Sequence, residues 1–161
     1  MIITTEDIRA IRPIAENVND IKRLIPYIDE CEKLYLLKSV GAVQFKKIED
    51  KSIANYSVLM AGGYYDNDTK YFVGLRAAMG YLVYSRFVRN QNVNATAFGI
   101  VVKQGQFSET VDEKTIVRTA NDAEKIGLEY LNQCVDYLNF GKEKSEKTIS
   151  VKRNKFRVIG D

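Results

Sequence analysis

The chain has 161 residues, 45% of them hydrophobic, and a net charge of +3. That fits one domain with a real core, or one domain plus an arm, and no stretch reaches the roughly 18 uninterrupted apolar residues of a membrane span. There is no histidine, which removes the commonest general base, the commonest metal ligand and the usual partner of a Ser or Cys nucleophile.

The N-terminus, MIITTEDIRAIRP, is acidic within seven residues and has no apolar core of the signal-peptide kind, so cytoplasmic synthesis is expected. Thr4 to Asp7 reads as a helix start, Thr4 capping and Asp7 reaching back. Pro13 should stop this helix near Arg12. Asn17 to Asp20 offers a second start. Ile21, Leu24, Ile25, Ile28, Cys31, Leu34 and Tyr35 then recur at three- and four-residue steps, one face of a helix. Asp29 and Lys33 can pair on the other side. Pro26 predicts a kink or restart, and Gly41 a C-terminal stop. Two shorter helical pieces follow, AVQFKKIED and SIANYSVLMA, ended by Gly62-Gly63.

YYDNDTK reads as a polar turn, with Asp66 or Asp68 placed to cap the next helix. Its DND lacks the glycine and distal Glu of a calcium loop. Tyr71 to Asn90 is then apolar on almost every side, interrupted by Arg76, Ser85, Arg86 and Arg89. A helix hydrophobic all round is buried on all faces, so this one is expected to borrow cover from neighbouring subunits. Gly74, Ala78 and Tyr81 are its interface candidates. The three arginines suit partner carboxylates or phosphates, or simple snorkelling to solvent.

NVNATAFGIVVKQGQFSE has no helical period and predicts a strand or hairpin around Phe98–Lys103. Thr110 to Glu113 has the spacing of a capping box. It opens a helix with Ile116, Ala120, Ala123, Gly127, Tyr130, Cys134 and Leu138 on one stripe, stopped by Gly141. Cys31 and Cys134 both fall on apolar stripes and are expected as buried thiols. The ten tyrosines suit core and interface more than stacking on bases.

Residues 141–161 hold seven Lys and Arg against three acidic residues, which leaves +4 there and −1 on the rest. Residues 142–161 are read as a basic docking arm attached to a helical domain, 1–141. Ile149, Val151, Phe156 and Val158 are its apolar anchors in a strand-like pattern. Lys152, Arg153, Lys155 and Arg157 would meet DNA or acidic partners. The predicted fold is mainly α, a bundle of four to five helices with a short β insert and an extended C-terminal arm.

Several segments, in this order, carry a resemblance: ITTEDI, IPYIDECEKLYL before Gly41, GLRAAMGYLVYSRFVRN, NATAFGIVVK, AEKIGLEYLNQCVDYL and the terminal NKFRVIG. The arrangement resembles the head-to-tail connector (adaptor) proteins of tailed bacteriophages, especially those of Bacteroidetes. The resemblance implies a virion protein, made in the host bacterial cytoplasm. It would form a ring of twelve copies beneath the portal, extend the DNA channel and dock the next tail component. It implies no catalytic residue, no cofactor and no membrane partner. The basic arm departs from the pattern. An oligomeric nucleic-acid-binding module with a basic tail is the alternative; a carboxylate enzyme finds no site in the sequence.

Overall fold

A computed structural model of the chain describes residues 1–12, 14, 18–90, 93–96, 99–102 and 112–154. The fold is mainly helical. Six helices, α1 to α6, are joined by two small antiparallel hairpins.

Helix α1 (Thr5–Ile11) opens on the expected capping box. The Asp7 N–H donates to Thr4 Oγ1, the Thr4 N–H donates to the Asp7 carboxylate, and the helix ends at Arg12. Pro13 lies outside the described residues. Helix α2 (20–40) starts at Asn19, whose side chain accepts the Lys22 N–H. It pauses at Leu24 and restarts as Ile25–Cys31 with Pro26 in the new first turn, where a missing N–H costs nothing. It then widens into a π turn, Glu32–Leu37, which shifts the buried face. Leu36 takes the core position expected for Leu34, and Leu34 is turned out to solvent. Glu32, a buried carboxylate, accepts the Ile2 N–H here. Gly41, at φ +77°, ends α2.

Helices α3 (Ala42–Glu49) and α4 (Tyr56–Ala61) are the two short pieces expected. Strands β1 (Gly63–Tyr65) and β2 (Lys70–Phe72) form a hairpin before α5 (Leu75–Asn90). The apolar run from Tyr71 is therefore not all helix: Tyr71 and Phe72 pair with Tyr64 and Gly63. Asp66 and Asp68 sit in the hairpin turn with positive φ and do not cap α5.

Strands β3 (Val93–Thr96) and β4 (Gly99–Val102) form the second hairpin. Their pairing matches the insert expected there; Phe98, Lys103 and the Thr110 of the proposed capping box lie outside the described residues. The last helix, α6 (Glu113–Asn154), has 42 residues, about 63 Å at 1.5 Å per residue. It passes straight through Gly141, so the predicted stop and domain boundary are helix interior. A single helix glycine costs only about 1 kcal/mol relative to alanine. The following KEKSEK is made of good helix formers with opposite charges four apart. Ile149, Val151, Lys152 and Arg153 therefore lie on helical backbone, not on a strand. Lys155, Phe156, Arg157 and Val158 lie outside the described residues.

Helices α5 and α6 run antiparallel, since Phe72 meets Tyr137, Tyr81 meets Tyr130 and Arg89 meets Glu124 along their length. The α6 stripe faces α5 as expected, with Ala120, Ala123, Leu131 and Cys134 buried. Gly127 lies against Leu82, where a β-carbon would collide with the leucine side chain. Ile3, Ile8, Ile28, Leu36, Ile48 and Leu59 close the rest of the core around α5. Within α5 only Arg76 is exposed. The cover expected from other subunits is supplied by this chain's own α1, α2 and α6.

Candidate interaction surface

The β1–β2 hairpin is positioned by two glycines in backbone contact. Gly62 has φ +84° and Gly74 has φ +100°. A β-carbon on Gly74 would lie 2.5 Å from the Ala61 carbonyl carbon and the Gly62 nitrogen, and 2.8 Å from the Met60 oxygen. Only glycine provides both the left-handed φ and the room. The turn above is built from Asp66, Asn67 and Asp68 in left-handed conformation, which Asn and Asp tolerate best. Thr69 fastens it, its N–H and hydroxyl donating to the Asp66 carbonyl at 3.3 and 2.6 Å.

Period-two alternation then sorts the aromatic rings. Phe72 turns inward, fully buried, and stacks on Tyr137 at 4.3 Å and 14°. Tyr65 lies on the same face, edge-on to Phe72, Tyr137 and Phe140. Lys70 sets its ammonium 5.9 Å from the Tyr65 ring and 5.8 Å from the Phe140 ring, and 3.4 Å from the Asp66 carboxylate. Tyr64 and Tyr71 pair across the outer face, ring centroids 4.9 Å apart, and stay 67% and 55% exposed. Two adjacent large aromatics facing water are an interaction signal.

Beside them runs an open groove of about 740 Å³. It is lined by Gln44 and Lys47 of α3, the 52–55 turn, Val58 of α4, Tyr64, Tyr65 and Asp66 of the hairpin, and Tyr137, Leu138, Phe140 and Gly141 of α6. Val58 is 37% exposed. Among the described residues the buried Gln44 side-chain oxygen has no hydrogen-bond donor.

The sequence candidates on α5 are placed elsewhere. Gly74 and Ala78 are buried against this chain's own residues, so their small size serves the monomer and not a subunit contact. Tyr81 is half-buried, edge-on to Tyr130, with the Arg12 guanidinium 5.4 Å from its ring. The arginines have partners within the chain. Arg76 pairs with Asp7 at 3.6 Å and Arg86 with Glu30. Arg89 donates to Asn121 at 2.7 Å and to Glu124 at 3.0 Å. Tyr35 donates its hydroxyl to Glu124 at 2.7 Å. Burial and that carboxylate push the Tyr35 pKa up to about 12. This network ties α2, α5 and α6 together.

Cys31 and Cys134 are buried and unpaired, as expected. Burial pushes each thiol up to about 12, so both are held in the unreactive protonated form. Among the described residues no three His, Cys, Asp or Glu side chains are grouped to hold a metal ion, and no helix is long and apolar enough to cross a membrane.

The sequence reading missed Val58, Gln44 and the hairpin's outer face. The available signal was the pair of aromatic doublets, Tyr64-Tyr65 and Tyr71-Phe72, flanking a turn-forming DND.

Residues 36–152 match the model of a family described as a family of unknown function, DUF6712, and the chain belongs to that family. No curated protein and no solved structure matches the chain.

Proposed function

We propose that this DUF6712 chain is a structural subunit of the head-to-tail junction of a tailed bacteriophage. In this reading twelve copies form a ring between portal and tail, extend the DNA channel and present a surface to the next tail component. The protein acts by fitting surfaces together and carries no active site or cofactor. It works in the virion after synthesis in the host bacterial cytoplasm.

The observation that carries a binding role is the exposed Tyr64–Tyr71 pair beside an open groove. Rigid aromatic rings supply contact area at little entropic cost, and interfaces are enriched in tyrosine. The hairpin holding them is fixed to α6 by the Phe72–Tyr137 stack, so the surface is preorganised. The assembly in which it serves is supplied by the resemblance of the ordered segments to phage connectors. The tight α5 core suits a subunit that folds before it assembles.

The test is to mix the purified chain with the portal protein encoded in the same genome and weigh the products by mass photometry. A portal ring that gains the mass of twelve chains supports the reading. Absence of any portal complex, with salt-sensitive binding to naked DNA instead, favours the nucleic-acid-binding module, whose positive charge would be that of residues 142–161.

A further inference from the structure

All ten tyrosines of the chain lie among the described residues, and Tyr64 and Tyr71 are the two that stand exposed. They are directly opposed in the register of the β1–β2 hairpin. Their ring centroids lie 4.9 Å apart, the rings tilted by 57°. The chain has no tryptophan, and both thiols, Cys31 and Cys134, are buried. Phenol rings at the surface are therefore its readiest one-electron donors.

Oxidative coupling of two tyrosines joins the rings edge to edge, at the carbons beside the hydroxyls. Two other tyrosine pairs are close but badly arranged for it. Tyr65–Tyr137 at 5.4 Å and Tyr81–Tyr130 at 5.8 Å are half-buried, and both cross at 81°, edge on face. Phe72 and Phe140 pack around Tyr65, and the Arg12 guanidinium lies against Tyr81, so these rings are held as they are. Tyr64 and Tyr71 face water, where side chains change rotamer in picoseconds to nanoseconds. The backbone beneath them stays fixed by the Gly62–Gly74 contact.

We propose that Tyr64 and Tyr71 form a site of oxidative coupling, at which a one-electron oxidant of the haem-peroxidase class, supplied with hydrogen peroxide, joins the two strands through a dityrosine bond. Each phenol gives up one electron and its hydroxyl proton, leaving two phenoxyl radicals. The radicals pair as one carbon–carbon bond between the ring positions ortho to the hydroxyls. Each ortho carbon then releases its proton and each oxygen takes one back, which restores both aromatic rings. Two hydrogen atoms are lost in all, and one hydrogen peroxide is reduced to two waters. A two-stranded hairpin is marginal alone; the bond would hold this one in register without help from the Phe72–Tyr137 stack. The proposal is independent of the connector reading.

The test treats the full chain with a haem peroxidase and one equivalent of hydrogen peroxide, then separates the products on a denaturing gel and digests them with trypsin. Cleavage after Lys51, Lys70 and Arg76 puts Tyr64 in the peptide 52–70 and Tyr71 in the peptide 71–76. Expected are the blue fluorescence of dityrosine in the monomer band and these two peptides joined, lighter by two hydrogens. Fragmentation should place the bond on Tyr64 and Tyr71. Tyr64→Phe and Tyr71→Phe keep the rings but should each lose the joined peptide, while Tyr65→Phe keeps it. Circular dichroism checks that all three variants remain folded. A bond on Tyr56, Tyr65 or any other tyrosine, coupling chiefly between chains, a joined peptide that survives Tyr64→Phe, or no dityrosine once the peroxide is consumed would each overturn the proposal.

Discussion

Gly74 is the position where a single methyl group should do most harm. Its φ of +100° is one that residues with a β-carbon rarely adopt, and holding alanine there costs about 1–3 kcal/mol. The new β-carbon would also lie 2.5 Å from Ala61 and Gly62 backbone atoms. Backbone cannot rotate aside as a side chain can, so overpacking adds about 1–3 kcal/mol. Together Gly74→Ala should lose about 2–6 kcal/mol, a large share of the roughly 5–15 kcal/mol that holds a domain folded. Gly80 is the control. It lies within α5, and a β-carbon there meets the tip of the Ile11 side chain, which can turn away. Alanine also favours helix by about 1 kcal/mol, so Gly80→Ala should stay within about 1 kcal/mol of the parent. Urea unfolding followed by circular dichroism at 222 nm measures both. If Gly74→Ala loses less than Gly80→Ala, the backbone contact at the foot of the hairpin does not constrain the fold as described.

Removing the ring that fixes the hairpin, Phe72→Ala, should cost about 3–5 kcal/mol as a large-to-small change in a fully buried site; it is read from the urea midpoint, with loss of near-ultraviolet tyrosine signal. Tyr35→Phe deletes one donor to Glu124 while Arg89 remains, so a loss of about 1 kcal/mol is expected, and a double-mutant cycle with Arg89→Ala should show coupling. Stability should fall from pH 9 upward. Cys31, Cys134 and Tyr35 have native pKa values near 12, so between their ordinary values and 12 the unfolded chain sheds protons that the native state keeps, which favours unfolding. Cys31→Ala with Cys134→Ala should flatten that alkaline slope in thermal melts taken from pH 8 to 11. Tyr64→Ser should change stability by no more than about 0.5 kcal/mol, yet weaken partner capture in a portal pull-down.

Much of the helical frame was legible because it depends on local rules. The Thr4–Asp7 box, the helix start within Asn17–Asp20, the restart at Pro26 and the α6 stripe each follow from a few neighbouring residues. The hairpin start of the apolar run was not legible. Tyr71 and Phe72 continue the hydrophobic run of α5, and only their pairing with Gly63 and Tyr64, set by the Gly62–Gly74 contact, makes them strand. The π turn escaped for a related reason: one extra residue changes which side chain is buried, so Leu36 replaced Leu34 without any change in composition. At Gly141 a stop rule was outweighed by the helix-forming residues after it. The arginines of α5 were read against solvent or a partner because their carboxylates, Glu30, Asp7 and Glu124, are far away in sequence. The groove was illegible altogether, being assembled from α3, α4, the hairpin and α6.

The most direct test of the connector assignment is a cryo-electron microscopy map of the chain bound to its portal. The expected map shows a twelve-membered ring coaxial with the portal, its subunits folded as described and the Tyr64–Tyr71 face buried against a neighbour or the next component. A map with the portal bare, or with the chain bound as scattered monomers and both tyrosines in solvent, would contradict it.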